Sequence, residues 1–430
     1  MGTQLTIDQQ MVMIRRGTVQ ILPEDELRAK LEKSRKSGVP LKIKLGLDPT
    51  APDIHLGIAV VLRKMRQFQD LGHEVIIIIG DFTASIGDPS GVSVTRPLLT
   101  PEEIAANART YKEQYCKILD ESKTRVVYNS EWLRELDFAG VVRIAAKMTV
   151  ARVLERDDFT ARLADGRPIG LHELLYPMSQ AYDSVVLEAD VEVGATDQTF
   201  NILTGRDLQR EFGQEPQVAL FMPILVGLDG EKKMSKSLGN YVGVAEPPKD
   251  MFGKLMSIPD HLMRQYFELC TDLKSEEIEE ILSRHPMEAK ELLAQIIVAM
   301  YHRPPGRPYR RGAAEPRQGR TYIEELVVEA PAAVEVKEEF ERVFSKREMP
   351  ADMPVIEVPK SAFKDGKVWI VRLLTIAGFA LTNSEARRLA EQGAVTLDGE
   401  RITDVNAEIA LKDGQILHVG KLKYGRVALL

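Results

Sequence analysis

The stretch that decides the fold is Lys42-Ile-Lys-Leu-Gly-Leu47-Asp48-Pro-Thr-Ala-Pro-Asp53-Ile-His55-Leu-Gly57-Ile58, followed through to Val75-Ile-Ile-Ile-Ile79-Gly80-Asp81. Lys42–Leu47 alternates polar and apolar residues and reads as a strand, and Asp48–Asp53 with its two prolines reads as a loop. Ile58, Val61, Leu62, Met65 and Phe68 recur at spacings of three and four, which predicts an amphipathic helix ending near Gly72. Val75–Ile79 is wholly apolar and stops at Gly80-Asp81, the form of a central parallel strand. Strand, helix and strand make a βαβ unit, and its right-handed crossover opens a doubly wound α/β sheet of Rossmann-like type.

Outward from this unit, Val191–Val193 before Gly194 and Met222–Val226 before Gly227 are expected as further strands. After Pro247-Pro248 the pattern becomes helical through Asp260–Leu269, Ser275–Leu282 and Glu288–Tyr301. Arg303–Arg320 packs six Arg, four Pro and three Gly into eighteen residues, which predicts an irregular or disordered segment. Helical pattern resumes by Glu335–Phe344. The expected division is a catalytic α/β domain over 1–245, a helical domain over 246–345, a Pro-punctuated linker over 346–360 and a small α+β unit over 361–430.

Composition narrows the class. At about 150 residues per domain, 430 residues suggest roughly three domains. An apolar share of 44% with 28% charged residues excludes a fibrous or disordered chain. No apolar run approaches the ~20 residues that span a bilayer, so no membrane partner is expected. Met1–Leu22 has scattered charges and no apolar core, so no secretory signal is expected either. Cys116 and Cys270 are isolated, which points to a reducing, cytoplasmic location and to no structural metal site. The net charge of −7 argues against nucleic acid until it is divided: residues 361–430 hold 10 Lys and Arg against 8 Asp and Glu. The acidic excess therefore lies elsewhere, and total charge does not exclude RNA.

Two strings carry chemistry. In Asp48-Pro-Thr50-Ala-Pro-Asp-Ile-His55-Leu-Gly57-Ile58, Gly57 lets a ligand approach a helix N-terminus whose free N–H groups suit phosphate, and His55 can donate to a phosphoryl oxygen. Alone, such a string is also an ordinary turn. In Glu231-Lys-Lys233-Met-Ser-Lys236-Ser237, lysines flanking a short loop suit a mobile clamp on polyphosphate, whereas a lone basic loop is usually solvated surface.

Together these strings resemble the two hallmark motifs of class I aminoacyl-tRNA synthetases, and the likeness sharpens to the bacterial tyrosyl-tRNA synthetases. It covers nearly the whole chain apart from Arg303–Arg320, and Lys44-Leu-Gly46 before Asp48 matches one branch of that family. The resemblance implies tyrosine--tRNA ligase activity with tyrosine, ATP with Mg2+ and tRNA as substrates, no tightly bound cofactor, and a homodimer. It assigns His55, Lys233, Lys236 and Arg96 to the departing phosphates, and Asp48, Thr50, His55, Gly57 and Lys236 to ATP. Gly194, Asp197 and Gln198, in Gly194-Ala-Thr-Asp-Gln198, belong to the nucleotide; the same string is otherwise a helix cap.

Tyr176, Gln180 and Asp183 fall at i, i+4 and i+7, on one helix face. The resemblance gives Tyr176 and Gln180 to the substrate α-amino end and Asp183 to its phenol O–H. Asp88, in Gly87-Asp-Pro-Ser-Gly91, also matches an ammonium contact, although the string reads as a turn by itself. At the C-terminus, Thr382–Val395 leading into Leu397-Asp-Gly399 resembles the S4-type RNA-binding domain, where Arg387 and Arg388 would meet RNA backbone.

Four residues at three places depart from the family pattern. Ile58 stands where a second polar residue, usually His, is normal; Val92 and Val94 replace basic residues near Arg96; and Lys44 replaces a strand tyrosine. The first two favour a rival reading, a catalytically weak RNA-binding protein on a synthetase scaffold. A tryptophanyl enzyme is disfavoured by Asp183 and the C-terminal unit.

Overall fold

The computed structural model describes residues 5–90, 99–304, 321–342, 353–420 and 423–430. Val92, Val94 and Arg96 lie outside these residues, as does the Arg- and Pro-rich segment from position 305 to 320. The chain divides into two compact units, Met1–Lys337 and Glu338–Leu430.

The first unit is built on a six-stranded sheet: β1 (Gln20–Leu22), β2 (Lys42–Leu47), β3 (Glu74–Ile79), β4 (Thr124–Tyr128), β5 (Val191–Ala195) and β6 (Val218–Met222). The spatial order is β1-β6-β5-β2-β3-β4. All neighbours run parallel except β1, which pairs antiparallel with β6 through Ile21 and Leu220. From β2 the chain winds one way to β3 and β4, and from β5 the other way to β6, so the order reverses between β2 and β5. Crevices above such a reversal, at the carboxyl ends of the strands, are where open α/β sheets bind ligands. Helix Leu56–Asp70 makes the predicted crossover and buries Val60, Leu62, Met65 and Phe68 against the sheet. The isoleucines of β3 are buried on both faces, as a central parallel strand requires.

One strand of this sheet needs correction. The last parallel strand spans Val218–Met222, not Met222–Val226. Pro223 has no N–H to give the ladder, and Val226 makes only an isolated bridge to Lys233. Lys44 on β2 is fully buried, and Glu192 on β5 lies 3.0 Å from its ammonium.

Helices Pro248–Met256, Met263–Cys270, Ser275–Leu282 and Pro286–Tyr301 follow the sheet. A buried ion pair of 2.6 Å between Arg63 and Asp272 ties them to the crossover helix. Helices Tyr322–Val328 and Pro331–Phe340 come after, the second beginning earlier than the periodicity suggests. Among the described residues no helix is long and apolar enough to cross a membrane.

The second unit has its own core, which includes Ile370, Leu374, Ala386, Ala390 and Leu417. Its strands are β7 (Val355–Val358), β8 (Val368–Trp369), β9 (Val395–Leu397), β10 (Glu400–Ile402), β11 (Glu408–Ile409), β12 (Ile416–Val419) and β13 (Lys423–Leu429). Five of them form a sheet in the order β10-β9-β12-β13-β7. Asp398 and Gly399, both with positive φ, make the two-residue turn between β9 and β10. Val355–Val358, expected in the linker, instead pairs in parallel with the last strand.

Candidate active site

A cleft of about 320 Å³ opens above the point where the sheet reverses. Its wall brings together Asp48, Thr50, His55 and Gly57 from the loop after β2, Asp88 from the turn after β3, and Tyr176, Gln180 and Asp183 from one helix. Gly194 in β5, Asp197 and Gln198 just after it, and Lys233 complete the set. Residues nearly two hundred positions apart thus share one cavity, as the sequence reading requires. Lys236 stands beside it, its ammonium donating to the Ala51 carbonyl at 3.3 Å.

At the floor, helix Tyr176–Leu187 presents its three polar residues on one face. Asp183 is buried and accepts from Trp132 Nε1 at 2.8 Å and Asn129 Nδ2 at 3.4 Å. Burial pushes its carboxyl up to about 7, opposed by the Lys44 ammonium and these two N–H donors. Gln180 donates to Glu192 Oε1 at 3.0 Å, the same oxygen that Lys44 holds. Glu192 thereby joins the helix to the buried cation on β2, and Gln217 and Ser184 donate to its other oxygen.

Asp48 is fixed from two sides: Tyr176 donates to one of its oxygens at 2.9 Å, Thr83 to the other at 2.7 Å. Burial, then the charge of Asp48, raises the Tyr176 phenol well above its ordinary range, so it stays a donor. Gly80 permits this packing, because a Cβ there would collide with the Asp48 carboxylate and the Thr83 hydroxyl.

The upper rim is cationic. His55 caps helix Leu56–Asp70 with extended backbone and no side-chain cap bond, while the Leu56 N–H donates to the Val242 carbonyl at 2.9 Å and the Ile58 N–H to the His55 carbonyl at 3.0 Å. Its Nδ1 is buried with no hydrogen-bond partner. Burial, then the charges of Lys236 and Lys233, lowers its ring to about 4, so the imidazole is neutral and has one N–H to donate without charge. A Cβ on Gly57 would come 3.0 Å from that Nδ1. Burial lowers the Lys236 ammonium to about 8, against the pull of Asp53. Lys233 forms a 2.9 Å ion pair with Asp197. The two lysines therefore lean to opposite sides, one to the 197 segment and one to the 51 loop. Ile58 lines the cleft and offers no donor.

Several contributors escaped the sequence reading. Asn240 anchors the lysine loop, accepting from Ser235 N at 2.8 Å and donating to Asp229 at 2.7 Å and to the Lys233 carbonyl at 3.1 Å. Nothing in its local sequence marks it. Trp132 could have been flagged, being one of only two tryptophans, whose indole N–H needs a partner when buried. Glu192 sits inside an apolar strand and was legible only as an anomaly. In the second unit Arg387 and Arg388 are exposed on helix Asn383–Glu391, and the Arg387 guanidinium lies 5.1 Å from the Trp369 ring centre.

Comparison with known proteins places the chain in a family. Residues 36–306 match the family model of tRNA synthetases class I (W and Y), and residues 368–413 match the S4 domain. The chain is 53% identical to the tyrosine--tRNA ligase of Moorella thermoacetica, over 98% of this chain and 96% of that one. It is 51% identical to that of Geobacter sulfurreducens, over 98% and 99%. Among solved structures, tyrosyl-tRNA synthetase from Archaeoglobus fulgidus complexed with L-tyrosine superposes with a TM-score of 0.58 at 26% identity, over 69% of this chain and 98% of that one. A truncated mitochondrial tyrosyl-tRNA synthetase from Aspergillus nidulans gives 0.60 over 80% and 95%, and at 18% identity it speaks for the fold alone. The chain belongs to the class I tRNA synthetases of the W and Y family and carries an S4 domain at its C-terminal end.

Proposed function

We propose that this chain is a tyrosine--tRNA ligase of the cytoplasm. The tyrosine carboxylate attacks the α-phosphorus of ATP, forming tyrosyl-adenylate and releasing pyrophosphate; a terminal ribose hydroxyl of the tRNA then takes the tyrosyl group and AMP leaves. Neither step needs a nucleophile from the protein, so positioning and stabilisation of phosphate charge carry the catalysis. The observation that carries the reading is a buried carboxylate, Asp183, at the far end of a helix face that begins with Tyr176, inside the cleft where the sheet reverses.

Asp183 accepts the phenol O–H, while Tyr176, Gln180 and Asp88 hold the ammonium. An acceptor committed to that O–H rejects phenylalanine by being left unpaired. Asp48, Thr50, Gly57, Gly194, Asp197 and Gln198 hold ATP, with Mg2+ entering as part of that substrate. His55, Lys233, Lys236 and Arg96 meet the departing phosphates. Because Lys233 and Asp197 pair with each other, ATP has to divide that pair, which couples ribose binding to release of the lysine toward phosphate.

Arg387 and Arg388 contact tRNA backbone. A second copy of the chain is the expected partner. Helix Phe138–Ala145 turns Val141, Ile144 and Ala145 inward yet leaves Phe138 85% and Val142 51% exposed, and large apolar side chains in water on that outer face are what a second copy would cover. The rival, an RNA-binding protein of weak activity, loses ground to full-length relatives that are ligases.

The test is tyrosine-dependent ATP–pyrophosphate exchange. The wild-type chain should be active, and Asp183→Ala should lose tyrosine activation and narrow its margin over phenylalanine. An inactive wild-type chain, or unchanged selectivity in a folded Asp183→Ala variant, would overturn the assignment.

A further inference from the structure

We infer that Arg156 is a positioning residue for tyrosine activation, setting the orientation of Asp88 through a closed ring of five hydrogen-bonded residues. The inference rests on the assignment of Asp88 to the substrate ammonium. Arg156 does not line the cleft. It lies behind it, 4% exposed, just ahead of helix Asp157–Ala164.

Its Nη1 donates to Asn201 Oδ1 at 2.6 Å. Asn201 Nδ2 donates to Gln198 Oε1 at 2.9 Å, and Gln198 Nε2 donates to Asp88 Oδ2 at 2.8 Å. The other Asp88 oxygen accepts from the Ser90 backbone N–H at 2.9 Å. Ser90 Oγ accepts from Arg156 Nη2 at 3.0 Å, which closes the ring.

The ring has a direction, set from both ends: Arg156 can only donate and the Asp88 carboxylate can only accept. A guanidinium donates and never accepts, so Asn201 must turn its oxygen toward it and its NH2 toward Gln198. Gln198 must then offer its oxygen to Asn201 and its NH2 to Asp88. Without the guanidinium the Asn201 oxygen loses its donor and Ser90 Oγ its tether, and the Asp88 carboxylate would have to hold both amides in this orientation by itself. Asp158 accepts from Arg156 Nε at 3.0 Å and Nη2 at 2.9 Å, so the guanidinium charge is neutralised locally. What Arg156 supplies to the site is therefore donor polarity more than charge. The ring also ties three separate segments of the chain, the turn 87–90, the 156 corner and the 198–201 helix start, into one frame around the proposed ammonium site.

The experiment is steady-state pyrophosphate exchange with tyrosine varied at saturating ATP, in Arg156→Ala, Arg156→Lys, Asn201→Asp, Asp88→Ala and the double variant Arg156→Ala/Asp88→Ala. Arg156→Ala should raise the tyrosine KM about tenfold, the scale of one lost charge-assisted hydrogen bond, with a smaller change in kcat. Arg156→Lys, which still donates, should recover part of it. Asn201→Asp keeps the acceptor for Arg156 and the shape, but has no NH2 for Gln198; it should also raise the tyrosine KM, and it decides the question should Arg156→Ala not fold. In the Asp88→Ala background, Arg156→Ala should add less than twofold, because the two act through one carboxylate.

Independent, multiplicative effects of Arg156 and Asp88 would overturn the inference, as would an Asn201→Asp variant with wild-type tyrosine KM. If Asp88→Ala alone leaves the tyrosine KM unchanged, the assignment of Asp88 to the ammonium is what fails, and the ring is then only a structural brace.

Discussion

The ionisation of Asp183 should be visible in the pH dependence of tyrosine activation. Burial holds its carboxyl up to about 7, and the groups around it are the Lys44 ammonium, the Trp132 and Asn129 N–H donors and, pushing the other way, Glu192. The carboxylate is the stronger acceptor for a phenol, and protonation would place an O–H donor where the phenol donates, beside the Trp132 and Asn129 donors already there. The quotient kcat/KM for tyrosine should therefore rise about tenfold per pH unit below the transition and level off above pH ~7. At pH 6 roughly a tenth of the enzyme would be competent. Saturating ATP places phosphate beside Lys236, so the lowering of that lysine to about 8 should not truncate the plateau. The tyrosine phenol itself ionises near ~10 and stays out of the window.

The sign for stability is opposite. A carboxyl whose folded value exceeds its unfolded one contributes fully below the unfolded value, and the contribution disappears as pH rises through about 7. The ligand-free fold should thus lose this contribution over the range in which activity appears. The decisive control is Lys44→Met combined with Glu192→Gln, because removing Lys44 alone would strand a buried carboxylate at a cost of about 3–5 kcal/mol. Lys44 outweighs Glu192 at Asp183, so the limb should move to higher pH in the double variant. A profile flat from pH 5.5 to 8, or a limb unmoved by the double substitution, would refute the reasoning.

Lys233→Ala and Lys236→Ala should each lower kcat by one to two orders of magnitude, the ~1.5–3 kcal/mol of a charged hydrogen bond, while leaving the tyrosine KM within about threefold; an equal loss in tyrosine affinity would mean they are not phosphate groups. Gly80→Ala forces a Cβ into Asp48 and Thr83, so pyrophosphate exchange should fall at least tenfold, by the same ~1.4 kcal/mol scale, with a smaller loss in thermal midpoint; normal exchange would show that Asp48 need not sit where Tyr176 holds it. Deleting residues 353–430, which removes β7 along with the sheet it completes, should spare adenylate formation and weaken tRNA charging in a salt-dependent way; normal charging by the truncated chain would remove the S4 domain from tRNA binding.

Much of the molecule was readable because its signals are local. The βαβ unit announces itself through a period of three to four between two apolar strands. Tyr176, Gln180 and Asp183 declare a shared face by spacing alone. What could not be read depends on partners remote in sequence. Lys44 looks like the wet position of an alternating strand until Glu192 arrives on the neighbouring strand. Asp48 looks like a turn residue until Tyr176 and Thr83 converge on it. Asn240 and Arg156 have no motif around them, and their importance lies wholly in the groups they meet. The shift of the last parallel strand to Val218–Met222 has a simpler cause: Pro223 sits inside the apolar run Met222–Val226, and its missing N–H brings the ladder to an end.

The reversal of strand order has a consequence for how the molecule is made. The pairing at its centre is long-range: the Asp190 carboxylate accepts from the Lys42 N–H at 2.9 Å, across 148 positions of chain. During synthesis β2, β3 and β4 can assemble as soon as they emerge, since each follows the last with one crossover. The other wall of the cleft has to wait until β5 and β6 are out and docked against β2, and the lysine loop comes later still. Slow closure of such distant pairs is the usual kinetic burden of parallel sheets. A nascent chain interrupted before residue 190 should therefore hold a folded half-sheet that cannot yet grip either substrate.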